Sequence, residues 1–402
     1  MHNRKISSVA KTFQGKTVLL TGATGFLGKL VLEKLLRTCP KIKRIYIIVR
    51  AKKGKDHIQR RNDVLENVIF EPLKRNTIEI FEEKVEVIAG DLAVSQLGIS
   101  PADQKKILEE TNFVFHIAAT VNFDEKIKKA VEINIKGTRD ILKLAKQMKC
   151  LQGFVYISTA YSNCPRHEIE EKFYDPPYEV DKIINIVDSL DDDLLQYLTP
   201  KMLKDWPNTY VFTKSIAEHV VKTESDGLPL CIVRPSIVMS TYQEPLSGWA
   251  GNVFGAIGAV AAGNVGLIRT MWVKRYKIAD IVPADFVVNC IISAAWDISN
   301  DRESCVAEPA MSLESKEKTT KIYNYVSGPE NSITWGKTYE YTKESGKTVP
   351  SKACLWYHFF VPASTERMYK VYMIFLHIIP AYIVDFIAKQ SGRKPQWVYT
   401  SV

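Results

Sequence analysis

Thr21-Gly22-Ala23-Thr24-Gly25-Phe26-Leu27-Gly28 is the stretch on which the reading of this chain turns. An apolar run, Lys16–Thr21, leads into it, and a helical pattern, Phe26–Arg37, leads out. Glycines spaced this way permit a tight turn and bring backbone close to a pyrophosphate, which the N-terminus of the following helix stabilises. Gly22, Gly25, Phe26, Leu27 and Gly28 are therefore the first candidate cofactor contacts. Further short apolar runs read as strands: Arg44–Arg50, Val85–Gly90, Phe113–Ala118, Gly153–Ser158 and Leu230–Arg234. Helical patterns at Ile58–Leu73, Pro101–Glu110, Asp124–Met148 and Thr209–Thr223 separate most of them. Such alternation means a parallel sheet covered by helices on both faces, an α/β doubly wound sheet of Rossmann type.

In such a sheet, ligands meet the carboxyl ends of the strands. A carboxylate at the end of the second strand would suit the free ribose of NAD; this chain has Arg50, followed by Lys52 and Lys53. A cation there favours NADP and its 2′-phosphate. Asp91 and Leu92 end the third strand, where they would read and cover the adenine. Ala118 and Ala119 end the fourth, where small side chains let a cofactor pass. Ser158 and Thr159 end the fifth, where a hydroxyl would bind a substrate carbonyl and steady its developing charge. Thr159 is the preferred one of the pair. Tyr210 and Lys214 are four residues apart in a helical pattern, which stacks phenol and ammonium on one face. The ammonium is expected to pull the tyrosine pKa toward neutrality, readying the phenol to protonate a carbonyl as hydride arrives. His116 lies inside an apolar strand and reads as a satisfied core histidine.

The chain carries 54 Lys+Arg against 45 Asp+Glu, a net charge of +9. Nine of the basic residues fall between Lys41 and Arg61, with Asp56 the one acid among them. This cluster suits a phosphorylated cofactor, coenzyme A or an anionic membrane. No nucleic-acid-binding motif accompanies it, and nothing resembles a metal constellation or a hydrolase nucleophile elbow. The seven cysteines form no Cys-x-x-Cys pair, which suits a reducing compartment. No apolar stretch precedes Lys11, so a secretory signal is not expected.

Beyond Arg234 the alternation breaks. Trp249–Ile268 is apolar and rich in Gly and Ala, and reads as a small-residue helix and turn beside a substrate channel. Phe286–Trp296 reads as a return to the main domain, and Ser299–Lys321 as a polar surface excursion. Val371–Ala388 is apolar apart from His377, Pro380 and Asp385; an amphipathic, interfacial or channel-forming helix pair fits it better than a simple membrane span. The expected organisation is a cofactor domain over 13–298 with a substrate-region insertion at 240–278. An excursion and return at 299–350 and a C-terminal segment at 355–402 follow.

The glycine turn, Ser158-Thr159 and Tyr210-x-x-x-Lys214 resemble the signature of the extended short-chain dehydrogenase/reductases. Longer stretches resemble one branch of them, the animal and especially insect fatty acyl-CoA reductases. These are Val-Tyr-Ile-Ser-Thr-Ala-Tyr-Ser-Asn-Cys (155–164), Val-Arg-Pro-Ser-Ile-Val (233–238), Ile-Val-Pro-Ala-Asp-Phe-Val-Val-Asn (281–289) and Gly-Arg-Lys-Pro (392–395). The resemblance implies NADPH-dependent reduction of a long-chain acyl-CoA to a primary alcohol through an aldehyde. It implies Tyr210 as proton donor, Lys214 on the nicotinamide ribose, Thr159 on the carbonyl, and Pro235 and Ser236 at the nicotinamide end. It further implies an intracellular, cytosol-facing enzyme attached to reticulum or peroxisome membrane through the C-terminal apolar segment, and a C-terminal domain of which 355–402 is a part. Two competing readings share the same motifs: a sugar-nucleotide or sterol reductase of the same superfamily, and a non-catalytic NADP-binding lipid sensor.

Overall fold

The computed structural model describes residues 7–52, 54–76, 81–307, 320–354, 359–392 and 394. They form two compact units, 1–251 with 282–326, and 252–281 with 327–402.

The first unit is built on a seven-stranded parallel sheet. Its strands are β1 Thr17–Thr21, β2 Arg44–Val49, β3 Val85–Ala89, β4 Thr111–His116, β5 Gly153–Ile157, β6 Leu230–Pro235 and β7 Lys321–Tyr325. Across the sheet the order is β7-β6-β5-β4-β1-β2-β3. All six expected strands are present, and β7 is an addition to them. Lys321 closes the stretch read as a surface excursion, yet Lys321–Tyr325 pairs in parallel along β6. Residues 308–319 of that excursion lie outside the described residues, as does Lys53.

Alternate residues of the strands feed two separate cores, which is why the inner strands are largely apolar. Val18, Leu20, Ile45, Ile47, Phe113 and Phe115 face one side, against helices α1 (Phe26–Thr38) and α4 (Ala284–Ala307). Leu19, Tyr46, Ile48, Val114, Phe154 and Tyr156 face the other. There lie α2, a continuous helical run over 127–146, and α3, Thr209–Glu224. In α2 a π-helical turn, Glu132–Lys136, interrupts the α-helix. The helix expected over Ile58–Leu73 is divided into shorter pieces, His57–Leu65, Val68–Phe70 and Glu71–Asn76. Asn67 caps the second piece through its side chain, so a local side-chain acceptor there competes with helix continuation.

The second unit contains Gly255–Asn264 and Trp335–Thr348, both helical, and a parallel pair of short strands, Thr270–Trp272 and Val361–Ala363. In place of the expected helix pair, one helical run of 25 residues spans Glu366–Gln390. Pro380 does not break it, because a π-helical turn, Ile374–Ile378, precedes the proline. Proline also deprives the carbonyl four residues back of its usual donor. Arg269 supplies that donor, its Nη1 bonding to Leu376 O at 2.8 Å.

Candidate active site

The glycine turn joins β1 to α1 as a close-packed cradle. Gly22 has φ of +79°, and a Cβ there would sit 2.8 Å from Ala118 N. A Cβ on Gly28 would come within 2.1 Å of Gly22 O. Both glycines are therefore demanded by space, one of them also by conformation. Gly25 is the N-cap of α1 and offers no side-chain acceptor to the first turn of the helix. The N–H groups there stay open to an anion. Phe26, the first helical residue, packs its ring 5.6 Å from that of Trp249.

Arg50 follows β2 as expected, and its Nη1 donates to Asp91 Oδ2 at 3.2 Å. Beside it stands a residue that the sequence does not single out. Arg60, on the helix after β2, donates from Nη1 to Arg50 O at 2.5 Å and from Nη2 to Thr24 Oγ1 at 3.2 Å. The fold thus brings a second guanidinium back to the glycine turn. Burial, then the neighbouring charge of Arg50, lowers the Arg60 pKa. Asp91 is paired with Arg50 and Asp63 with Lys55, while Arg60 bonds only neutral oxygens among the described residues. The three cations against two carboxylates leave a positive surplus, the electrostatics a phosphate needs. Leu92 is buried against Gly137. Ala118 N donates to Thr21 Oγ1 at 3.1 Å, and Ala118 and Ala119 are half-buried at the end of β4.

At the other end of the crevice, Thr159 is buried, and its side chain lies close enough to the Tyr210 phenol to act on its pKa. Ser158, its competitor from the sequence, faces away: its hydroxyl donates to the buried carboxylate of Glu218. The structure thereby separates the two hydroxyls and leaves Thr159 with the phenol. Tyr210 and Lys214 share one face of α3, whose N-cap Asn208 accepts from Val211 N. The exposed ring of Phe123 stacks on that of Tyr210, with centroids 6.0 Å apart. Pro235 ends β6, and its carbonyl accepts Ala160 N at 3.0 Å. Ser236 is buried, and its Oγ has no hydrogen-bond partner among the described residues.

The expected lowering of the Tyr210 pKa is corrected. Burial pushes it up to about 12, against the opposing pull of the neighbouring Thr159 side chain. The ammonium of Lys214 is engaged elsewhere, donating to Ile157 O at 2.6 Å and Tyr156 Oη at 2.8 Å. Burial lowers Lys214 to about 7, while the Glu218 carboxylate holds it up. Tyr210 is therefore protonated at neutral pH, the state a proton donor requires. His116 is a satisfied core histidine. Its ring nitrogens meet Thr21 Oγ1 at 2.8 Å and Thr138 Oγ1 at 3.1 Å, and burial brings its pKa down to about 3. Among the described residues no group of His, Cys, Asp or Glu is arranged to hold a metal ion.

This sheet, its glycine cradle and the hydroxyl, phenol and ammonium at the far end of the crevice define a nicotinamide-dependent oxidoreductase of the extended short-chain dehydrogenase/reductase type. The model of a family described as "Male sterility protein", an NAD-binding family, matches residues 20–291. The chain is 38% identical over 395 residues to fatty acyl-CoA reductase 1 of Rattus norvegicus, covering 98% of this chain and 74% of the rat protein. It is 37% identical over 384 residues to fatty acyl-CoA reductase wat of Drosophila melanogaster, covering 96% and 71%. The chain belongs to the fatty acyl-CoA reductase family. Among solved structures, a nonribosomal peptide synthetase reductase domain from Mycobacterium tuberculosis shares the fold, with a TM-score of 0.60 at 19% identity over 94% of this chain and 81% of that one. The terminal reductase domain of a myxalamid biosynthetic pathway matches with a TM-score of 0.57 at 26% identity, over 82% and 70%.

Proposed function

We propose that the protein reduces long-chain fatty acyl-CoA to the primary alcohol through an aldehyde, with NADPH as reductant. The observation that carries this reading is the juxtaposition of Thr159 and Tyr210, a paired donor set for one carbonyl oxygen, in a chain of the fatty acyl-CoA reductase family.

The residues present fit a dinucleotide phosphate. The glycine cradle excludes any side chain where a pyrophosphate would approach, and the buried Ser236 hydroxyl has no partner among the described residues. Gly22, Gly25, Phe26, Leu27 and Gly28 would hold the pyrophosphate. Arg50 and Arg60 would hold the 2′-phosphate; Asp91, Leu92, Ala118 and Ala119 would border the adenosine half. Lys214, Pro235 and Ser236 would hold the nicotinamide half. Bound NADPH supplies hydride to the thioester carbon.

Thr159 and Tyr210 donate to the carbonyl oxygen, and Tyr210 delivers its proton as the oxygen gains charge. Lys214 supplies positive charge behind the phenol that has lost its proton. The resulting hemithioacetal breaks its carbon–sulfur bond, the thiol of coenzyme A leaves with a proton, and an aldehyde remains. A second reduction on the same donor pair gives the alcohol. Membrane association is part of the proposal. Helix Glu366–Gln390 leaves Phe375, Tyr382, Ile383, Phe386 and Ile387 more than half exposed, an apolar surface suited to lipid.

NADPH oxidation that depends on added palmitoyl- or stearoyl-CoA, with the fatty alcohol as product, tests the function. Cofactor choice is tested separately. Each guanidinium contact to a phosphate contributes about 1.5–3 kcal/mol. Arg50→Ala and Arg60→Ala are each expected to raise the KM for NADPH roughly 10- to 100-fold. The KM for NADH should change little, so the ratio of the two is the readout. An equal rise for both cofactors would remove these arginines from the 2′-phosphate.

A further inference from the structure

A buried ion pair lies one helical turn beyond Lys214 along α3, and the proposed chemistry makes no use of it. Arg234, on β6, has a wholly buried side chain, and that of Glu218, on α3, is 4% exposed. Arg234 Nε donates to Glu218 Oε1 at 3.0 Å and Nη2 to Oε2 at 2.7 Å. The guanidinium also donates to Glu170 O at 3.0 Å and Lys172 O at 2.9 Å. Glu218 Oε1 accepts the hydroxyls of Ser158 and, at 2.9 Å, of Ser162. The Ser162 carbonyl accepts Trp206 Nε1 at 2.8 Å, which closes the turn after β5 against the chain leading into α3.

Replacing a buried ion pair by apolar side chains of similar volume is often neutral or stabilising, so stability alone is a poor account of this one. Its placement points to another role. Ser158 and Ser162 flank Thr159, so the carboxylate fixes both ends of the turn that presents the carbonyl-binding hydroxyl. Glu218 also stands one helical turn beyond Lys214, as Lys214 stands one turn beyond Tyr210.

We propose that Glu218 is a positioning residue for this site: its carboxylate, held in place by Arg234, is the counter-charge to Lys214 and locks the Ser158–Ser162 turn that aims Thr159. The proposal rests on the reading of Thr159, Tyr210 and Lys214 given above. The groups facing Lys214 are few. On its own helix they are Tyr210 and Glu218; from β5 they are the Ile157 carbonyl and the Tyr156 hydroxyl; from β4 it is His116, which is neutral. Tyr156 is held protonated by burial. The cation of Arg234 is already matched by Glu218. Among the described residues the negative charge acting on Lys214 is that of Glu218, and its sign fixes the prediction: removing it makes the ammonium easier to deprotonate.

Glu218→Gln keeps a hydrogen-bond acceptor and removes the charge. The alkaline limb of the kcat–pH profile should move acidward by about one unit or more. The variant should remain within a few-fold of wild type near pH 6 and fall by roughly tenfold at pH 8, while Glu218→Asp, which keeps the charge, leaves the limb in place. If the single variant does not fold, Glu218→Gln combined with Arg234→Gln leaves no unpaired buried charge and carries the same expectation. A limb that stays put, with activity lost equally at every pH, would make the pair merely structural and overturn the proposal. Lys214→Met tests the reading underneath independently: if it keeps wild-type kcat, that reading fails, whatever Glu218 does.

Discussion

Tyr210→Phe should lower kcat by about 10²- to 10⁴-fold, the usual contribution of a positioned general acid, and leave NADPH binding nearly unchanged. The phenol oxygen is the atom at stake. Its pKa of about 12 keeps it protonated across the physiological range, and the Thr159 side chain stands beside it as the second donor of the proposed pair. Phenylalanine keeps the ring stacked on Phe123 and removes only the donor. The fall should therefore appear in kcat, with thermal stability and cofactor KM as controls. A variant retaining more than about a tenth of wild-type kcat would assign proton donation elsewhere.

The second large effect is on the fold. Gly28→Ala would place a methyl group 2.1 Å from Gly22 O and 2.6 Å from Gly22 C. These are backbone atoms of the turn itself, so no side-chain rotation relieves the clash. Either α1 withdraws from β1 or the turn opens. The expected cost exceeds about 3 kcal/mol, at the severe end for a core substitution. Denaturant unfolding would measure the loss, and NADPH binding should weaken with it. A Gly28→Ala variant with wild-type midpoint and cofactor affinity would mean that the turn has room the geometry denies. Gly15, which has φ of +70° but open space around a Cβ, is a useful contrast. Substitution there should cost only the backbone strain, about 1 kcal/mol.

What the sequence reveals of this molecule follows the range over which its signals act. The glycine turn is local: three glycines, the strand before them and the helix after them are contiguous, so the cradle is legible residue by residue. Tyr210 and Lys214 are equally local, one helical turn apart. The six apolar strands stand out because both faces of the sheet are buried. Lys321–Tyr325, at one edge of the sheet, lacks that signature: of its five residues Ile322 alone is fully buried, and it begins with a lysine paired to Asp297 and Asp301.

Long-range contacts account for the rest. Arg60 comes to the glycine turn, the proposed cofactor site, because the chain after β2 folds back onto Thr24, and nothing in the basic run Lys41–Arg61 distinguishes it from its neighbours. Ser158 and Thr159 look alike in sequence; Glu218, 60 positions from Ser158, takes one and leaves the other. The direction of the tyrosine pKa shift escapes the sequence for a related reason. Spacing on a helix shows that phenol and ammonium share a face, but not that Ile157 O and Tyr156 Oη claim the ammonium. The proline in the final helix reads as an interruption because sequence does not reveal that Arg269 lies beside the freed carbonyl.

The central claim is two successive hydride transfers to one acyl carbon at the Thr159–Tyr210 pair. The most direct measurement counts NADPH oxidised against coenzyme A thiol released during complete turnover of a limiting long-chain acyl-CoA. The account predicts two NADPH per thiol, with fatty alcohol as the end product. Thiol release without NADPH oxidation, or no turnover of either by the folded chain, would contradict it.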